Sequence, residues 1–264
     1  MTRQWQSGEV DEARFPMPFR VYKTPAKAGP RPLVLYFAGA AFGAAPSRTG
    51  DAPAALAMAE AGALVVEADC SDPKQAVFPG CLERAFEALK HLFSKRKLFA
   101  TNRSPVLVAG DEAGGNLAAS LALKARDAMP GELAGQVLLS PLLDPRMVTV
   151  SFREADEIDL QQRWAKGWQH YLANPGDGQH PYAAPCLCSR LMGVAPALIM
   201  TSLDDPLRDE SLDYAERLRT AGVSVNTKIL PEHLGWTGLY DGRVGEWHSH
   251  VSTEFSRFLS ELPH

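Results

Sequence analysis

The sequence predicts an α/β fold: a mostly parallel sheet with helices on both faces. Short, continuous apolar runs rich in β-branched residues recur along the chain, and such runs are typical of strands buried on both faces. Segments with apolar residues at helical spacing lie between them. This alternation indicates parallel strands joined by helical connections.

The elements follow from this pattern in chain order. Strands are predicted over residues 19–22 (an edge strand), 33–37, 64–68, 104–109, 136–139, 197–201 and 223–230. Helices are predicted over residues 51–61, 79–94, 115–129, 207–221 and 247–262. Residues 145–180 interrupt the alternation: they are polar, with a helical patch that carries Trp164, Trp168 and Tyr171.

The composition excludes several functional classes. The chain of 264 residues is 45% apolar and 22% charged, which is normal for one globular α/β domain spanning residues 1–264. A net charge of −4 without a basic stripe disfavours nucleic acid as a partner. No apolar run is long enough for a membrane span, and the N-terminal residues do not resemble a signal peptide, so a cytoplasmic location is expected.

Cofactor and metal sites are not expected. No Gly-x-Gly-x-x-Gly motif follows the first central strand, which disfavours a dinucleotide fold. The four cysteines, at positions 70, 81, 186 and 188, form no Cys-x-x-Cys pair and are expected to be reduced thiols. The expected partner is a small-molecule substrate or ligand, and a homodimer is one option for the oligomeric state.

The most informative stretch is the junction between the strand at 104–109 and the helix that follows. Gly110, Glu112 and Gly114 have the Gly-x-X-x-Gly spacing of the nucleophile elbow of α/β hydrolases, with glutamate where serine should stand. Small neighbours let strand and helix approach, and the strained apex side chain points out of the sheet. At a helix N-terminus Glu112 is expected to be ionised and aimed into a cleft. The alternative is an ordinary strand-to-helix turn.

Other candidate groups also follow strands closely. They are the small-residue loop 38–43, the pair Asp204 and Asp205, and His233. Because ligand sites in parallel sheets lie beyond the carboxyl ends of the strands, these groups are expected to gather with Glu112 at one edge.

Together these motifs resemble the acetyl-esterase branch of the hormone-sensitive-lipase family of α/β hydrolases, from about Phe19 to Trp236. The matching segments are 36–42, 110–116, 181–185, 205–210 and 231–236. The Asp-Pro-Leu-Arg-Asp-Glu motif at 205–210 is intact. In the oxyanion loop, Ala38, Ala40 and Ala41 stand where the family has a histidine and two glycines.

The resemblance implies an α/β-hydrolase fold and carboxylic-ester hydrolysis. It also implies a cap, here reduced, to which residues about 145–180 contribute. Little chain precedes the first strand to form the family's N-terminal cap segment, so an open, shallow site is expected. Trp164, Trp168 and Trp236 would line this site or pack the cap against the core.

Catalytic roles also follow from the resemblance. Asp205, rather than Asp204, matches the acid, and His233 is the candidate base, although Leu234 separates it from the Gly-aromatic pair of the motif. The oxyanion and substrate-binding positions are Gly39, Ala40, Ala41, Phe42, Ala113 and Trp236.

Three roles for Glu112 compete. It could be a nucleophile, with Asp205 and His233 activating water against the intermediate. It could be a general acid or base. The favoured alternative is a silent site, in which Glu112 pairs with His233 or accepts the oxyanion-hole N–H bonds. Serine-esterase activity is then weak or absent, and small-ligand binding remains open, as in the family's plant gibberellin receptors.

Overall fold

A seven-stranded, mostly parallel sheet forms the centre of the computed structural model, which describes residues 15–24, 30–43, 50–70, 72, 74, 76–155, 158–174 and 176–262. The strand order is β1-β3-β2-β4-β5-β6-β7. Only β1 is antiparallel to its neighbour, β3. The strands are β1 (Phe19–Tyr22), β2 (Leu33–Phe37), β3 (Leu64–Ala68), β4 (Val106–Asp111), β5 (Gly135–Pro141), β6 (Ala197–Ser202) and β7 (Val225–Leu230).

Eight α-helices accompany the sheet in the described ranges. They are α1 (Pro53–Glu60), α2 (Gly80–Ser94), α3 (Arg96–Phe99), α4 (Glu112–Ala128), α5 (Val150–Glu154), α6 (Ile158–Tyr171), α7 (Arg208–Thr220) and α8 (Trp247–Glu261). The predicted α/β fold class, with helices on both faces of a mostly parallel sheet, is confirmed.

Both faces of the sheet are buried. In β2, Leu33, Leu35 and Phe37 join the apolar core that includes side chains of α2, α4 and α7. Val34 and Tyr36 point the other way, into the core formed with α1 and α8. Burial on both sides explains why this strand has a continuous apolar run rather than an alternating one.

The strand-to-helix junction at β4 and α4 is packed at backbone distance. A side-chain Cβ at Gly114 would lie 2.0 Å from the Phe37 carbonyl oxygen of β2, and one at Gly110 would lie 2.3 Å from the Gly114 oxygen. Both positions therefore require glycine. This close packing lets α4 begin at Glu112, three residues before the predicted start, because the turn consists of a single residue.

Residues 145–180 provide α5 and α6. Helix α6 lies on the short 3₁₀ turn Ala41–Gly43 that follows β2, and it reaches that turn through Gly167. In the described part of the chain, none of the helices is both long and apolar enough to cross a membrane.

Candidate active site

Glu112 lies at the junction of β4 and α4, where the sequence predicted the apex of a nucleophile elbow. Its φ angle is 53°, in the left-handed region that non-glycine residues rarely adopt. It is the first residue of α4 and directly follows Asp111, the last residue of β4. The strained backbone that such an elbow implies is present at this position, with a carboxylate as the side chain.

The Glu112 carboxylate is turned into the protein instead of into a cleft. Its Oε2 accepts the Ala41 backbone N–H at 3.2 Å, and its Oε1 accepts the indole N–H of Trp164. Nη2 of Arg163 lies 3.6 Å from Oε1. Glu112 has no exposed surface, so the expectation of an open, shallow site is wrong. Helix α6 covers the site, and it supplies both Arg163 and Trp164.

Burial controls the ionisation of this group. Desolvation raises the pKa of Glu112 above its ordinary value, although Arg163, Trp164 and the Ala41 N–H act in the opposite direction. The sequence predicted an ionised Glu112 at a helix N-terminus, which implies a lowered pKa. Removal of the carboxyl group from water outweighs the helix terminus, so the pKa shifts in the opposite direction.

The carboxylate fills the space that the oxyanion loop encloses. A Cβ at Gly39 would lie 2.4 Å from Oε2 of Glu112, so the side chain rests directly on this glycine. Ala41 has a φ of 44° and Phe42 a φ of 52°, although both carry side chains. The loop therefore keeps a left-handed backbone at Ala41, where the family that it resembles has glycine.

Phe42 packs against aromatic side chains of α6, and two alanines near it line a small cavity. Phe42 stacks on Tyr171 with ring centroids 4.2 Å apart and contacts Trp168 at 4.7 Å. Ala40 and Ala113 line a cavity of about 20 Å³. Trp164 and Trp168 are buried, so the structure places both between cap and core rather than along a substrate channel.

Asp205 is the second buried carboxylate at this edge of the sheet. Its Oδ1 accepts the Leu207 N–H at 2.8 Å and the Tyr240 hydroxyl at 2.6 Å. Its Oδ2 accepts the hydroxyls of Ser140 and Thr201. Burial raises its pKa despite these donors.

Trp236 donates to the carboxylate that the sequence predicted as the catalytic acid. Its indole N–H lies 2.6 Å from Oδ2 of Asp205 and 2.8 Å from Oγ of Ser140, and the ring is fully buried. The sequence predicted Trp236 as a substrate-binding residue, whereas its indole N–H is directed to Asp205. Both oxygens of Asp205 are thus occupied by donors from the protein itself.

His233 lies away from both carboxylates. Its side chain is 91% exposed and lies 3.8 Å from Glu232, while its backbone N–H donates to Asp204. The structure therefore does not join His233 to Asp205, and the expected Glu112–His233 pair is replaced by Glu112 with Arg163 and Trp164. The chain leaves β7 through a turn with left-handed residues at His233 and Gly235, which points Trp236 inward and His233 outward.

Four groups at the site were not anticipated: Arg163, Ser140, Thr201 and Tyr240. Arg163 was one polar residue among many in residues 145–180, and nothing in its spacing marked it. The hydroxyls of Ser140, Thr201 and Tyr240 donate to Asp205, and Ser140 lies near the carboxyl end of β5, next to β6. The position of Ser140 near a strand end was the one usable signal.

Two cavities lie near this edge of the sheet in the described part of the chain. The cavity of about 20 Å³ holds a single water-sized molecule. A second cavity, of about 190 Å³, lies at the ends of β1, β2 and β3. Glu112 lines neither of them.

Comparison with known proteins agrees with this architecture. A family model described as the α/β-hydrolase fold matches residues 34–234. The chain belongs to the carboxylesterase-like α/β hydrolases. Within this family, the chain is 31% identical over 226 residues to carboxylesterase NlhH of Mycobacterium tuberculosis, which covers 81% of this chain and 69% of that protein.

Solved structures of other carboxylesterase-like α/β hydrolases superpose well. A bacterial heroin esterase has a TM-score of 0.73 at 30% identity, covering 91% of this chain and 79% of that one. A thermostable esterase from Pseudomonas putida ECU1011 has a TM-score of 0.78 at 26% identity, covering 93% and 79%.

Proposed function

We propose that this carboxylesterase-like α/β hydrolase does not hydrolyse esters and has a role other than serine-esterase catalysis. The observation that carries the proposal is the Glu112 carboxylate, which lies in the oxyanion loop and accepts the Ala41 N–H. Ester hydrolysis needs that donor for the oxygen of the tetrahedral intermediate. A carboxyl group already bound there occupies this donor, and with glutamate at the apex there is no hydroxyl nucleophile.

The surroundings of Asp205 support the same proposal. In a Ser-His-Asp mechanism the aspartate orients an imidazole, which takes the proton of the nucleophile. Trp236 donates to Asp205 instead, and an indole N–H has no basic nitrogen to offer. His233, the predicted base, is exposed. The site thus lacks nucleophile, base and free oxyanion hole together.

Catalysis by Glu112 itself is disfavoured because a substrate cannot reach its buried carboxyl group. The raised pKa of Glu112 suits a general acid or base, which removes one objection to that role. The carboxyl group is nevertheless fully buried, and its described partners are all hydrogen-bond donors or cations. Nucleophilic attack on an ester would also give an anhydride, a poor intermediate for hydrolysis.

Hydrolysis of p-nitrophenyl acetate and butyrate tests the proposal. The protein is compared with its Glu112→Gln, Glu112→Ser and Glu112→Ser/Trp236→His variants, and NlhH is assayed in parallel as the active control. We expect no turnover by the unaltered protein. Glu112→Ser alone is expected to remain inactive because no base is present, while the double variant offers Asp205 an imidazole and gains measurable turnover.

Turnover by the unaltered protein that Glu112→Gln abolishes would overturn the proposal, because it would make Glu112 a working catalytic group. Strong activity of Glu112→Ser alone would leave the proposal standing but would contradict the missing base, because it would mean that His233 reaches the site in solution. Circular dichroism and urea unfolding confirm that each variant is folded.

Binding of a small ligand without chemistry is the second candidate. The cavity of about 190 Å³ favours it, because it lies at the carboxyl ends of β2 and β3, where parallel sheets bind ligands. Arg20, Glu67 and Asp69 give it polar groups beside apolar walls. Native mass spectrometry should then recover an unmodified ligand from the purified protein, and Ala40→Leu, which narrows the cavity, should reduce the bound fraction.

A further inference from the structure

Two cysteines lie near one another in the fold, on a cavity that Ala113 and Gly114 also line. Cys70 follows β3, and Cys81 lies in the first turn of α2. The Cys70 thiol donates to the Met17 sulfur, which lies 3.9 Å away. Neither residue belongs to a Cys-x-x-Cys motif, so the pair arises from the packing of α2 against the sheet.

The two thiols differ in acidity. The neighbouring Cys70 thiol and the Arg84 guanidinium lower the pKa of Cys81. The Cys81 thiol and burial raise the pKa of Cys70. The position of Cys81 at a helix N-terminus favours its thiolate further. Cys81 is therefore the more acidic of the two thiols and the one suited to attack an oxidant.

The pair faces the cavity of about 20 Å³, which Tyr171 also lines. Tyr171 is 1% exposed, and its hydroxyl has no hydrogen-bond partner among the described residues. A buried hydroxyl without a partner is costly and needs an explanation. Here it lies near both thiols, where it can donate to a small polar molecule that enters the cavity.

We propose that Cys70 and Cys81 form a redox dithiol whose substrate is hydrogen peroxide. The geometry carries the proposal: two thiols and an unpartnered hydroxyl line one cavity of about 20 Å³. This small volume favours hydrogen peroxide over bulkier hydroperoxides.

The reaction balances in two steps. The Cys81 thiolate attacks one peroxide oxygen; the S–O bond forms, the O–O bond breaks, and the departing hydroxide takes a proton and leaves as water. The Cys70 sulfur then attacks the Cys81 sulfenic acid; the S–S bond forms, the S–O bond breaks, and a second water leaves. Overall, two thiols and one peroxide give one disulfide and two waters.

Mass spectrometry of the folded, full-length protein after hydrogen peroxide treatment tests the proposal. The expected product has lost two hydrogens, and trypsin then yields the peptide ending at Lys74 linked to the peptide ending at Arg84. In Cys70→Ala, the sulfenic acid at Cys81 persists, and mass spectrometry detects it as one added oxygen on the peptide ending at Arg84. Cys186 is the internal control, because burial raises its pKa to about 12 and it should label about tenfold more slowly.

Two further comparisons separate this site from general thiol oxidation. Tyr171→Phe keeps the ring that packs on Phe42 but removes the hydroxyl, so oxidation of Cys81 should slow several-fold. tert-Butyl hydroperoxide should oxidise the unaltered protein more slowly than hydrogen peroxide does.

Equal oxidation rates at Cys81 and Cys186 would overturn the proposal, as would disulfides that join other cysteines. Urea unfolding of each variant identifies any loss of fold. If Cys70→Ala proves unstable, Cys70→Ser provides the same test.

Discussion

Gly167 is the position where the sealing of the site can be tested most directly. A Cβ built there would lie 2.3 Å from the Ala41 carbonyl oxygen and 2.9 Å from its carbon, against 3.4 Å or more in ordinary contacts. Both atoms belong to backbone and cannot rotate away. In Gly167→Ala, α6 must therefore move by about 1 Å from the turn that it covers.

Two opposing effects set the size of the change. Alanine in a helix interior is favoured over glycine by about 1 kcal/mol. Overpacking against fixed atoms costs about 1–3 kcal/mol, and contact with backbone places this case near the upper end. We expect a net loss of about 1–2 kcal/mol in the free energy of unfolding, with weakening of the Trp164–Glu112 hydrogen bond.

Urea unfolding followed by tryptophan fluorescence measures this loss. Gly80→Ala is the matched control, because Gly80 also lies in a helix and its Cβ would meet no atom within 4 Å among the described residues. That variant should be neutral or slightly more stable. If Gly167→Ala were stabilised to the same degree, α6 would not lie on the Ala41 turn, and the sealed site would be refuted.

Three further substitutions test the buried polar groups and the strained loop. Ala41→Gly should raise the urea midpoint slightly. Glycine removes the strain of an alanine with left-handed φ, worth about 1–2 kcal/mol, and this exceeds the entropy cost of glycine, about 0.5–1 kcal/mol. A lower midpoint would contradict the proposed strain at Ala41. Trp236→Phe should lower the free energy of unfolding by about 1.5–3 kcal/mol, because Asp205 loses a hydrogen-bond donor. Trp168→Phe should cost less, because the Trp168 indole N–H has no partner in the described structure. Equal losses would argue against the hydrogen bond from Trp236 to Asp205. Burial raises the pKa of Glu210 well above its ordinary value, so the folded protein keeps a proton that the unfolded chain releases above about pH 4.3. Stability should then fall as pH rises from there, by up to about 1.4 kcal/mol per pH unit, and Glu210→Gln should flatten that slope in unfolding curves measured from pH 4 to pH 8.

The strands and the elbow were predictable because local patterns encode them. A strand buried on both faces, such as Leu33–Phe37, needs an uninterrupted apolar run. Gly110 and Gly114 occupy positions where backbones touch, so their spacing identifies the junction without any partner segment. These features depend on residues that are neighbours in sequence, which is why the sequence reveals them.

The ionisation and access of Glu112 were not predictable for the opposite reason. They depend on Trp164 and Arg163, more than fifty positions later in the chain, on a helix whose placement local patterns do not specify. The exchange of His233 for Trp236 as the inward-facing residue follows from the path of the turn after β7. A one-residue change in motif spacing hinted at it but could not decide which side chain points inward.

The glycines of the elbow have a consequence beyond this protein. Any side chain at Gly114 would collide with the Phe37 carbonyl, whatever residue stands at the apex. Packing therefore requires the glycine spacing whether or not the apex residue is catalytic. The apex residue can therefore change without disturbing this packing, so one substitution there can remove a catalytic group while the fold is kept. Genome searches that use this glycine spacing alone would group chains with and without an apex serine together, whereas a search that also reads the apex residue separates them.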